Sequence, residues 1–103
     1  MTNMRNHAPA ANTAAIISKQ AVKQKYNKIS FIGWSYDDDP TGGNIKVEDG
    51  TTERFSLDIT NEGPGFFTFV PPLEGSINTG MVITLAAGGG SVVGKLSIII
   101  WAD

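Results

Sequence analysis

The chain has 103 residues, 41% of them hydrophobic, no cysteine, and a net charge of −2. That length suits one compact domain, and the missing cysteines exclude a disulfide framework, a thiolate metal site and a thiol nucleophile. The charge is unevenly spread: Met1–Lys28 carries Arg5, Lys19, Lys23, Lys25 and Lys28 and no acid, so it stands at +5 against −7 for the remainder.

Met1–Asn12 (MTNMRNHAPAAN) has no apolar periodicity and reads as an extended arm that would be disordered alone. No apolar h-region marks a secretory leader there. The arm can seek an acidic surface on a neighbouring subunit, or its cations can simply keep a tail solvated. The first reading makes Arg5, His7, Lys19, Lys23, Lys25 and Lys28 the candidate partner-binding residues.

Thr13–Lys25 fits two patterns. Ala14, Ile17 and Ala21 recur at near-helical spacing, while a short strand at Ala14–Ser18 followed by a loop matches the rest of the chain better. Lys28–Tyr36 is rich in aromatic and β-branched residues and apolar on both faces, with Ile29 and Phe31 on one and Ile32, Trp34 and Tyr36 on the other. Asp39-Pro40-Thr41-Gly42 matches a type I turn. Asn44–Glu48 and Thr52–Ile59 then alternate around Asp49-Gly50, a hairpin signal, with Ile45, Val47, Phe55, Leu57 and Ile59 inward. Phe66–Val70 follows a Gly/Pro corner, and Pro71-Pro72 must end that strand or place it at an edge. Met81–Ala87 and Val92–Trp101 are two further strands, joined by Gly88-Gly89-Gly90-Ser91. The stretch around Leu96–Trp101 is far too short to cross a membrane.

Seven or eight short strands with turn residues between them predict an all-β protein. The expectation is an antiparallel β-sandwich or jelly roll at 13–103, carrying an extended N-terminal arm at 1–12.

Little in this pattern is reactive. His7 lies in the arm, where packing cannot position it against a serine and an acid. Asp37-Asp38-Asp39 could lend oxygens to Ca²⁺, but lacks EF-hand spacing and reads as a solvated turn. An enzyme would need these acids to converge with Glu48, Glu53 or Asp58. The glycine-rich corners lack the Lys-Ser/Thr of a phosphate loop. Trp34, Tyr36 and Trp101 could form a sugar-binding platform, although each sits in a strongly apolar strand suited to a core. The acidic body disfavours nucleic acid. No catalytic residue, cofactor or metal is therefore expected.

PAANTAAII (Pro9–Ile17), IGWSYDDDPTGGNIKVEDG (Ile32–Gly50), FSLDITNEGPGFFTFVPPLEGS (Phe55–Ser76) and MVITLAAGGGSVVGKLSI (Met81–Ile98) carry a resemblance. In their order and spacing, the chain resembles small virion proteins of tailed bacteriophages. The resemblance implies a jelly-roll-like, often trimeric domain on the capsid surface, assembled in the host cytoplasm. Its partners would be its own copies and the major capsid protein or another virion protein, with no membrane involved. Its role would be that of a decoration or cement protein. The alternative is a carbohydrate- or receptor-binding module of a tail fibre, collar or head fibre.

Overall fold

The structure, a computed structural model, describes residues 3–103. Eight strands form in chain order: β1 (Met4–His7), β2 (Ala15–Lys19), β3 (Tyr26–Tyr36), β4 (Asn44–Asp49), β5 (Thr52–Asp58), β6 (Gly65–Ile77), β7 (Met81–Leu85) and β8 (Gly94–Ala102). They make two antiparallel four-stranded sheets, ordered β1-β8-β3-β6 and β2-β7-β4-β5. The result is the expected all-β sandwich. Thr13–Lys25 takes the strand reading rather than the helical one, as Ala15 and Ile17 alternate inward while Ile16 and Ser18 face out.

The core lies between the sheets. Ile29, Ile32, Leu96, Ile98 and Ile100 from the first meet Ile17, Ile45, Val47, Met81, Ile83 and Leu85 from the second. Truncating any of the fully enclosed isoleucines would cost about 2–5 kcal/mol, as partner atoms collapse only partly into the gap.

Four features depart from simple alternation. In β3, Ile29 pairs with Ile100 but Phe31 pairs with Ile99, so Ser30 forms a bulge. The bulge shifts the alternation by one. Ile29, Ile32 and Tyr36 therefore share the core side, and Phe31 turns outward instead of accompanying Ile29. In β6, Leu73 faces Ile29 and Thr68 faces Phe31, so Phe69–Pro72 bulges opposite Ser30. The strand continues past Pro71-Pro72 because it sits at the sheet edge, where a missing N–H breaks no second ladder.

The third departure is the N-terminal segment. It is extended, but Met4–His7 docks on its own sheet, pairing with β8 from Met4↔Ile99 to His7↔Leu96. Burial is slight, and side chains help secure it: Ile16 N–H donates to His7 Nδ1 at 3.0 Å, and Arg5 Nη1 donates to Ser18 C=O at 3.3 Å. These bonds cap free backbone groups of the edge strand β2.

The fourth is Asp37–Gly43, which crosses from one sheet to the other instead of closing a local hairpin. Thr41 N–H reaches Gly88 C=O at 2.9 Å, tying this crossing to the Gly88–Ser91 corner.

Asp49 joins the sheets at the opposite end. Its carboxylate, 4% exposed, accepts from Ser76 N–H at 3.0 Å and Ser76 Oγ at 2.7 Å on β6. Arg54 Nη2 adds an ion pair at 3.1 Å. Burial alone would raise this carboxyl's pKa, but the Ser76 bonds and Arg54 outweigh it and hold the pKa below the usual aspartate value.

Candidate functional site

The outer face of the first sheet carries a groove of about 290 Å³. It forms where β3 and β8 run beside the start of β6. Alternation after the Ser30 bulge puts Phe31, Gly33 and Ser35 on this face, and Lys95 and Ser97 stand beside them on β8. Gly33 pairs with Ser97 and Ser35 with Lys95.

Glycines give the groove its depth. A Cβ on Gly33 would stand 3.0 Å from the Phe31 ring, so the ring lies across a bare backbone. A Cβ on Gly65 would fall 2.5 Å from the Trp34 indole, so the start of β6 rests directly on that ring system. Trp34 packs edge-on against Tyr36, with centroids 6.1 Å apart, and Tyr36 Oη donates to Ala86 C=O at 2.6 Å. Burial raises the Tyr36 pKa, keeping the phenol a neutral donor. The groove wall is thus anchored through Trp34 and Tyr36 to the core.

Phe31 and Phe66 stack with centroids 6.4 Å apart and planes 27° from parallel. Phe66 remains 66% exposed. A large aromatic left open on a packed sheet is more informative than an exposed aliphatic residue. Around this pair stand two hydroxyls, Ser35 and Ser97, and one ammonium, Lys95. Among the described residues, no carboxylate lines the groove.

The aromatic residues singled out in the sequence divide. Tyr36 is buried, Trp34 is half-buried in the groove wall, and Trp101 is half-buried at the far end of β8. Phe31 and Phe66, which the sequence reading left among strand residues, form the open platform. Phe31 could be placed on the outer face only by knowing the Ser30 bulge.

The six candidate partner-binding residues differ in what they engage. Arg5 and His7 engage β2 of the same chain. Lys28 pairs with Asp103 at 3.3 Å and Glu74 at 3.4 Å. The hydrogen bond to Asp103 leads in raising its pKa, against the opposing effect of burial, and Glu74 adds to the rise. Lys19 ends β2, and Lys23 and Lys25 lie exposed in the loop that follows. In the acidic run, Asp37 Oδ1 accepts from Val93 N–H at 2.8 Å, tying the run to the segment before β8, and Asp38 Oδ1 accepts locally from Asp39 N–H at 2.8 Å.

No family model matches the chain, and no curated protein matches it in sequence. Two solved structures are similar to it at a distance. One is a carbohydrate-binding module, CBM36, in complex with calcium and xylotriose: TM-score 0.48, 11% identity, covering 93% of this chain and 78% of that one. The other is the CBM36-1 domain of a multidomain xylanase from the hindgut metagenome of Trinervitermes trinervoides: TM-score 0.46, 9% identity, covering 88% and 74%.

Proposed function

We propose that this protein is a non-catalytic binding module that holds a saccharide in the groove on the outer face of the first sheet. The observation that supports the reading is the exposed Phe31–Phe66 stack beside Ser35, Ser97 and Lys95. A pyranose has an apolar face of C–H groups and an equatorial rim of hydroxyls. The ring faces would take the first by dispersion and desolvation, and the hydroxyls and ammonium would take the second. The glycine floor lets the sugar approach the sheet closely.

Calorimetric titration with a panel of oligosaccharides tests this. Binding to at least one class is expected, weakened roughly tenfold by Phe66→Ala, the effect of losing about 1.4 kcal/mol of apolar contact. Affinity that ignores both Phe66→Ala and Phe31→Ala would sink the reading.

A second reading is the phage decoration protein, a homotrimer seated on the major capsid protein. The β6 edge favours it. Val70 is 91% exposed on the Phe69–Pro72 bulge, and Gly65–Leu73 carries no charge that would deter another chain. Mass measurement of the purified protein, with and without capsids, decides this reading. It predicts a trimer that Val70→Asp dissociates; a monomer that leaves capsids bare would end it.

A further inference from the structure

The geometry points to an acidic saccharide, a sugar whose ring bears a carboxylate or sulfate held by Lys95; this rests on the saccharide reading above. Two cations on the outer face of the first sheet differ in state. Lys28 is neutralised by Glu74 and Asp103. Lys95, exposed at the groove, has no ion-pair partner among the described residues. Asp37, just past the end of β3, accepts from the Val93 N–H.

Position adds to charge. Lys95 lies across from Ser35 and two residues before Ser97, so one ammonium and two hydroxyls serve the same side of the Phe31–Phe66 platform. An ammonium offers three donors and no acceptor. A neutral sugar uses it as one more hydroxyl donor. An anionic substituent puts charge on both partners, so the contact becomes an ion pair whose attraction salt screens. The groove thus selects an apolar ring face with a negative charge at its rim.

The test titrates the protein with three probes of equal length: a neutral cello-oligosaccharide, an oligoglucuronate and a sulfated cello-oligosaccharide. Each is run at 20 mM and 500 mM NaCl. At low salt the acidic probe is expected to bind roughly tenfold tighter than the neutral one, with the gap shrinking at high salt. The tighter of the two acidic probes identifies the anion. Lys95→Met keeps the aliphatic stem and should abolish the preference for the acidic probe and its salt dependence, while the neutral probe weakens only by the loss of one hydrogen bond. Lys95→Arg should retain the preference. Equal affinity for neutral and acidic probes, or a preference that survives Lys95→Met, overturns the inference and leaves the saccharide reading standing. Failure of all three probes to bind overturns both.

Discussion

On the outer face of the first sheet, β3, β6 and β8 present Phe31, Phe66, Ser97 and Lys95 around a glycine floor. On the outer face of the second, β4 presents Lys46 and Glu48, paired at 3.6 Å, beside Ser56 and Asp58 of β5 and Thr84 of β7. Both sheets bury equivalent inner faces, so folding explains neither outer surface. Apart from the exposed Ile16 of β2, this face is polar and partly self-paired, as a solvated sheet face needs. The aromatic face exceeds that need: it leaves a ring open, removes side chains beneath it, and keeps a cation unpaired. The contrast supports the proposal of a binding face on the first sheet, with the second left to solvent.

The largest expected effect separates the two sides of a single strand. Asp49→Ala leaves the Ser76 N–H and the Arg54 guanidinium without their carboxylate. It should lower unfolding free energy by about 2–3 kcal/mol, the lower end for a broken buried pair because Arg54 is partly exposed. Urea denaturation reads it. The same carboxylate gives acid sensitivity. Its folded pKa is depressed, so its contribution is complete above the usual value of 3.8 and is lost as pH falls through the lower folded value. Melting temperature should drop across that window in the native protein and more weakly in Asp49→Asn. A parallel drop in both would refute the assignment.

Next in size is Gly65→Ala. Its methyl group would meet the Trp34 indole at 2.5 Å. About 1–3 kcal/mol of overpacking strain is expected, together with loss of saccharide binding. Ser56→Ala on the second sheet should change neither. Phe66→Ala should leave stability within about 1 kcal/mol, since the ring is largely exposed, while binding falls roughly tenfold. The smallest effect belongs to Lys46→Ala, at most about 0.5 kcal/mol, as for other exposed ion pairs. A large effect there would mean the second face is more than a solvated surface.

The sequence pattern made the sandwich legible where alternation is regular. Ile45 and Val47 face inward because their strand obeys period two, and Asp49-Gly50 closes the hairpin to Thr52. It failed where one residue changes the count. Ser30 is an ordinary strand residue in the sequence, and only its missing place in the ladder sends Phe31 out and keeps Ile32 in with Ile29. The platform also needs Phe66, which lies 35 positions away from Phe31 and meets it only through the β3–β6 pairing. Met4–His7 was illegible for a different reason. Its strand is held by backbone ladder bonds and by His7 and Arg5 reaching β2, none of which leaves an apolar pattern.

Backbone amide mapping by NMR during titration with the saccharide that binds tests the central claim most directly. Shifts are expected to concentrate at Gly33, Ser35, Gly65, Phe66 and Ser97, with Lys46, Glu48 and Thr84 unmoved. Shifts confined to the second sheet, or spread along the β6 bulge at Val70 while the groove stays silent, would contradict it.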